Sequence, residues 1–326
     1  MTPTELALTA LPFTCPLAAA SAAPAPRMSA SASGATSSAS WRRERAGCSP
    51  TSATSRVEKL AGALVEGLRR ELYLTPKPGL VDAEDNGSHP DLSLPLMERS
   101  IALVGACFAE LAASLAGGEP LASQIEVAKR AERRMLEQFG TNTHKGAIFL
   151  GGLLLVALHR APRDEASAVR AEVRWVAREL AATATPRDTH GAVIRARFAV
   201  GGILSEAQAG LPSVFDVAVP VLRAAVERGE GAAEASFRAL ARLMQTVEDT
   251  TALHRCGPAG LTQLREDGAR LEALVAAGTH LPFLRERNAL YRRLGLTMGG
   301  VADLLGCALG WLAYLGELPG SYSIAP

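Results

Sequence analysis

The chain has 326 residues, of which 48% are hydrophobic and 5% aromatic, and its 34 basic and 33 acidic residues leave a formal net charge of +1. That is material for one large core or two ordinary ones, and the charge balance excludes recognition of nucleic acid or an anionic membrane through bulk charge. The five cysteines (Cys15, Cys48, Cys107, Cys256 and Cys307) are scattered without CxxC spacing, which argues against a zinc site or disulfide framework and for reduced thiols in a cytoplasmic compartment.

Residues 1–55 are rich in Ser, Ala, Pro and Thr, with a low-complexity stretch "MSASASGATSSAS"; they read as a disordered arm. The first residues lack a basic n-region and include Glu5, so no signal peptide is expected. Order is expected from Arg56, where Val57, Leu60, Ala61, Leu64, Leu68 and Leu72 follow helical spacing. "TPKPGLVDAEDNGSHPD" then interrupts the pattern, because Pro76, Pro78, Gly79 and Pro90 forbid regular structure across most of it. Helical periodicity resumes over about 94–116, 121–139, 143–160, 165–182, 191–210, 214–228, 232–248, 258–277 and 299–316. "AIFLGGLLLVAL" is too short to span a membrane and "VADLLGCALGWLAYLG" carries Asp303; both read as buried core helices. No alternating strand or βαβ rhythm is evident. The fold expectation is one compact all-α domain over 56–318, with a short tail at 319–326.

Five segments carry chemistry. The 75–91 loop holds Lys77, Asp82, Glu84, Asp85, His89 and Asp91. A loop stiffened by Pro and Gly holds polar groups at low entropic cost, lysine suits phosphate, and carboxylates suit Mg²⁺; a solvated turn is the plain alternative. "GTNTHKG" (Gly140–Gly146) places His144 and Lys145 at a helix start, where positive side chains oppose the dipole unless an anion joins them. Thr141 or Thr143 would cap that helix, and a helix with its basic groups turned to solvent is the alternative. Glu206 in "SEAQAGLPSV" and Asp249, His254 and Arg255 in "VEDTTALHRCGPAG" are further candidates. Taken alone, Glu206 reads as a surface glutamate and Asp249 as a helix cap. In "LTMGGVADLLG", Gly299 and Gly300 allow close backbone approach to a ligand, with Asp303 in the first turn that follows. There is no P-loop, no dinucleotide fingerprint and no HExxH. The residues by themselves describe a helical, phosphate-binding enzyme using several acids and Mg²⁺.

In this order, "LTPKPGLVD…NGSHPDL", "GTNTHKGAIFLGG", "SEAQAGLPSV", "DTTALHRCG" and "GGVADLL" resemble the triphosphoribosyl-dephospho-CoA synthase family over about residues 56–316. The resemblance implies transfer of the triphosphoribosyl group of ATP to the ribose 2′-hydroxyl of 3′-dephospho-CoA, with release of adenine. The product is the prosthetic-group precursor of an acyl carrier subunit, for malonate decarboxylase in preference to citrate lyase. It implies ATP as substrate, Mg²⁺ as cofactor, downstream carrier-protein and transferase enzymes as partners, and leaves a homodimer open. On this basis Lys77, Asn142, His144, Lys145 and Arg255 would hold phosphates or nucleotide, with Gly299, Gly300 and Asp303 shaping the nucleotide pocket. Asp82, Asp91 and Asp249 would bind Mg²⁺, Asp249 would also stabilise positive charge on the ribose, and His89 or Glu206 would be the general base. The chain departs from the family at Leu204, where arginine is frequent, at Thr251 and Ala252 in "DTTAL", and before "MGG", where Ser-Pro is usual. These departures keep two rivals in view: a paralogue acting on another nucleotide, and a non-catalytic nucleotide or carrier-protein binder.

Overall fold

The computed structural model describes residues 50–183, 198 and 200–318. In chain order the helices are α1 (Pro50–Tyr73), α2 (Leu94–Ala116), α3 (Leu121–Phe139), α4 (Lys145–Arg160), α5 (Ala166–Thr183) and α6 (Gly202–Gln208). A π-helical segment, Ser213–Ala218, leads into α7 (Val219–Glu227), followed by α8 (Ala232–Thr246), α9 (Thr250–Ala276), α10 (His280–Leu294) and α11 (Gly299–Leu315). No strand occurs among the described residues, in agreement with the all-α expectation. The expected arm and tail fall mostly outside the described residues, as does most of the expected 191–210 helix ahead of α6.

α11 is the central element. It packs against α1, α4, α7, α8 and α9, and buries Val301, Leu304, Leu305, Leu309, Trp311 and Leu312. Its contact with α1 is unusually close. A Cβ added at Gly67 would lie 2.3 Å from the Gly306 carbonyl oxygen and 2.4 Å from the Gly310 nitrogen. One added at Gly310 would lie 2.8 Å from Leu64 Cα. Ordinary helix pairs keep their axes about 8–10 Å apart because side chains fill the gap; here backbone meets backbone. Phe108 of α2 fills the notch left by Gly151 of α4 in a similar way. The two apolar stretches expected to be buried are α4 and α11, and both are. By length and hydropathy α2 is the one described helix sufficient to cross a membrane; its Ile101, Val104, Phe108 and Leu111 are buried in the core.

Three local features differ from the periodicity. α1 begins at Pro50, ahead of the expected Arg56. α9 runs through the expected Gly-Pro break, with the break surviving as a kink at Gly257 (φ 63°, ψ −162°) before Pro258. α10 was not expected at all. Its buried positions are His280, Phe283, Leu284, Asn288 and Tyr291, which have helical spacing, but two are polar, so the apolar stripe is broken in the sequence.

The α1–α11 crossing gives a stability prediction. Gly310→Val must push the helices apart and should cost roughly 3 kcal/mol or more by overpacking. Gly62→Ala, on the exposed side of α1 with nothing within 4 Å of the new methyl, should gain up to about 1 kcal/mol of helix propensity. Denaturant melts of the two variants read both signs.

Candidate active site

The 74–93 connection between α1 and α2 holds itself together. Asp82 accepts hydrogen bonds from the backbone N–H of Lys77 at 2.6 Å, Glu84 at 2.8 Å and Asp85 at 3.1 Å. Asp85 accepts from Gly87 N–H at 2.6 Å and from Asn288 Nδ2 at 2.8 Å. The Asn288 Oδ1 atom in turn accepts from Gly79 N–H at 2.9 Å, which ties the loop to α10. Gly79 sits at φ 71°, where a Cβ would be 2.3 Å from the Leu296 carbonyl oxygen; only glycine fits this approach. Burial raises the Asp82 pKa, against the three N–H bonds that lower it. Both Asp82 oxygens are committed to backbone, so this carboxylate organises the loop where a metal ligand was expected.

The loop closes one side of a cavity of about 300 Å³. Among the predicted residues, Lys77, His89, Asp91, Asn142, His144, Lys145, Arg255, Gly299 and Asp303 line it. Asp82, Glu206, Asp249 and Gly300 do not. Lys77 is 1% exposed. Its Nζ donates to the Glu71 side chain and to the Glu71 carbonyl oxygen, each at 2.5 Å. Glu71, in the last turn of α1, is the functional residue that sequence reasoning missed; nothing in "LRRELYL" separates it from a surface acid. The pair is fixed and nearly neutral as a unit, so the other positive side chains lining the cavity are Lys145 and Arg255, and Arg255 donates to the Ser88 carbonyl oxygen at 3.1 Å. Lys145 is half-exposed and reaches Glu132 at 3.1 Å.

The start of α4 is electrostatically completed from within. The N-cap is His144 and makes no side-chain cap bond; Thr143 bonds Ser100 instead of capping. The His144 Nδ1 atom lies 2.7 Å from Ser100 Oγ. Burial and the Lys77 charge push its pKa down to about 4, so at neutral pH it is a dipole and not a cation. The carboxyl that meets the helix start is that of Asp303 of α11. It accepts the Ala147 N–H, and a Cβ at Gly146 would lie 1.8 Å from its Oδ2. Burial, Glu71 and Asp249 together hold the Asp303 carboxyl well above the usual carboxylate range.

Asp249 joins two helix starts. One oxygen caps α9 through the N–H groups of Thr251 at 2.8 Å and Ala252 at 3.0 Å; the other accepts Val301 N–H of α11 at 2.9 Å. Burial raises its pKa and these bonds oppose the rise. Like Asp82, it is spent on backbone and lies behind the wall, with Gly300 packed against it. Glu206 caps the π-helical segment, accepting from Ser213 N–H at 2.7 Å and Ser213 Oγ at 3.0 Å; burial raises its pKa. It is neither the surface glutamate its segment suggested nor part of the cavity lining. The His89 Nε2 atom lies 2.9 Å from Thr297 Oγ1. Its Nδ1 faces Arg255 Nη2 at 3.5 Å, an arrangement in which Nδ1 accepts and Nε2–H donates. Burial and Arg255 lower its pKa. Both ring nitrogens are therefore engaged. Asp91 is exposed at the cavity. Among the described residues no three His, Cys, Asp or Glu side chains group to hold a metal ion. Of the departures from the family, Thr251 lines the cavity, Ala252 is buried in the core, and Leu204 is partly buried on α6.

Two stability measurements test this electrostatic reading. Lys77→Met strands a buried Glu71 and should cost about 3–5 kcal/mol, read by denaturant melts. Asp303→Asn should raise Tm at neutral pH. The folded wild type holds a proton that the unfolded chain releases near pH 4, so its stability falls as pH rises through that window. The Tm gap should widen as pH rises above about 4, and a constant gap would contradict the raised carboxyl.

The comparisons with known proteins agree on one family. The ATP:dephospho-CoA triphosphoribosyl transferase family matches residues 57–322. A relative from Pseudomonas paraeruginosa, named "Probable 2-(5''-triphosphoribosyl)-3'-dephosphocoenzyme-A synthase", is 36% identical over 80% of this chain and 91% of its own length. Relatives of the same name from Pseudomonas putida and Stutzerimonas stutzeri are 34% and 36% identical, over 78% and 79% of this chain and 93% and 92% of their own. No solved structure matches. With a cavity lined from four of the five family-like segments and a match over most of its length, the chain belongs to the ATP:dephospho-CoA triphosphoribosyl transferase family.

Proposed function

We propose that the cavity between the 74–93 loop, the start of α4 and the start of α11 is where the ribose of ATP reacts with the 2′-hydroxyl of 3′-dephospho-CoA. The observation that carries this reading is that Lys77 and Lys145, from two motifs nearly seventy positions apart, line one cavity with Arg255 and Asp303. Breaking the N-glycosidic bond of ATP builds positive charge on the ribose, as in glycoside hydrolysis, and carboxylates beside the sugar stabilise that charge. Lys145, Arg255 and the N–H groups of α4 suit the triphosphate. Asn142 Oδ1 is buried with no hydrogen-bond partner among the described residues, which suits a donor on the nucleotide. A cavity of about 300 Å³ takes the reacting sugar and its neighbours rather than two whole nucleotides, leaving the rest of the acceptor across the mouth.

The donor set fits Mg²⁺ that arrives with the triphosphate and is touched by Asp91, since Mg²⁺ sites commonly pair one or two carboxylates with substrate phosphates. When bound it would neutralise phosphate charge. Thr251 stands on the cavity wall, so its replacement of the usual asparagine bears on substrate contacts. We assign the product to the malonate decarboxylase system in preference to citrate lyase, on overall sequence resemblance; the enzyme itself would work in the cytoplasm. Transfer of the product onto each purified apo carrier subunit by its own transferase separates the two systems.

The test is adenine release from ATP and Mg²⁺, with and without 3′-dephospho-CoA, followed by mass analysis of the acceptor. Release that requires dephospho-CoA, with the acceptor gaining a triphosphoribosyl unit, is expected. Lys145→Ala should raise the KM for ATP roughly tenfold by loss of a charge-assisted phosphate contact, with Tm nearly unchanged because its ion pair is exposed. Absence of adenine under both conditions would leave a nucleotide binder; release without dephospho-CoA would indicate a different acceptor.

A further inference from the structure

We propose that Asp303 is the general acid of the reaction, delivering a proton to adenine as the C1′–N9 bond of ATP breaks. This rests on the reading of the cavity as the ATP site. Asp303 comes close enough to two other carboxylates, Glu71 and Asp249, to interact with both. Each is stabilised differently. Glu71 has the Lys77 ammonium at 2.5 Å. Asp249 has three backbone N–H donors. Asp303 has the single N–H of Ala147, and among the described residues no cation pairs with it. When like charges share a buried site, the least supported one keeps its proton. Burial and its two acidic neighbours hold Asp303 above the ordinary range, in agreement with that geometry.

Position separates Asp303 from its neighbours. Asp249 is behind the wall, whereas Asp303 opens on the cavity. Its carboxyl is seated by Gly146, whose Cα leaves the space that any side chain would fill. A carboxylic acid that holds its proton well above the usual carboxylate range, fixed in place and opening on the cavity, is suited to assist departure of a purine. The electron pair of the C1′–N9 bond goes to adenine, and the Asp303 proton goes to a ring nitrogen of the base, which leaves neutral. The acceptor 2′-oxygen bonds to C1′ and releases its proton to water at the cavity mouth. Asp303 then regains a proton from solvent.

The experiment compares ATP with 8-aza-ATP, whose base is a better leaving group and needs protonation less. Adenine or 8-azaadenine release is followed for wild type and Asp303→Asn with dephospho-CoA present. For ATP, Asp303→Asn should lower kcat about 100-fold or more, the usual worth of a general acid, with little change in KM. For 8-aza-ATP the loss should be at least about tenfold smaller. The alkaline limb of the wild-type kcat–pH profile should vanish in the variant. Gly146→Ala, which displaces the carboxyl without removing it, should show the same dependence on the leaving group and covers the case in which Asp303→Asn does not fold. Equal losses for both nucleotides, or a loss confined to KM, would overturn the assignment. Wild-type failure to release either base would instead overturn the reading of the cavity.

Discussion

The close crossing of α1 and α11 is the constraint on which the cavity depends. Gly67, Gly306 and Gly310 remove the side chains that normally separate two helices. The last turn of α1 is thereby brought against the first turns of α11. A Cβ on Gly306 would lie 3.8 Å from the Glu71 Cβ, and Asp303 is one turn earlier on the same helix. Glu71 anchors Lys77, and the Lys77 backbone is anchored by Asp82. The position of the whole 74–93 loop therefore traces back to a contact between glycines.

A second theme is how buried and half-buried acids are accommodated with few cations. Asp82, Asp249 and Glu206 accept backbone N–H bonds at a turn or at helix starts. Glu71 takes the one buried ammonium among the cavity-lining groups. Desolvation of a carboxylate is costly unless hydrogen bonds or a counter-charge offset it. The surrounding structure meets that cost in each of these cases and leaves Asp303 with least support. The same arithmetic explains the start of α4. A helix that opens with His144 and Lys145 is comfortable because His144 is uncharged and the Asp303 carboxyl meets the helix N-terminus. The basic residues did not need a phosphate to be tolerated there.

The helical periodicity of most elements was legible because their buried faces are apolar: α2, α3, α4, α8 and α11 appear within a few residues of their expected limits. α10 was hidden for a physical reason. Its buried face includes Asn288 and His280, and Asn288 is inside because the loop needs its amide to hold Gly79 and Asp85. The site was legible in part. Lys77, His89, Asn142, Lys145, Arg255 and Asp303 stand out as chemistry-bearing residues in punctuated segments, and they meet at one cavity. Glu71 gave no signal because a glutamate near a helix end looks the same whether it faces water or a buried lysine.

By itself, then, the sequence determined the helical class, the segments that carry chemistry and the family, since periodicity and motif spacing are properties of the chain. Tertiary structure decided what each acid does. Asp82, Asp249 and Glu206 became acceptors for backbone N–H groups, Asp91 stayed exposed at the cavity, and Asp303 was left half-buried on the cavity wall near Glu71 and Asp249. A carboxylate's role depends on its desolvation and on the charges within a few ångströms of it, and those neighbours come from helices far apart in the chain.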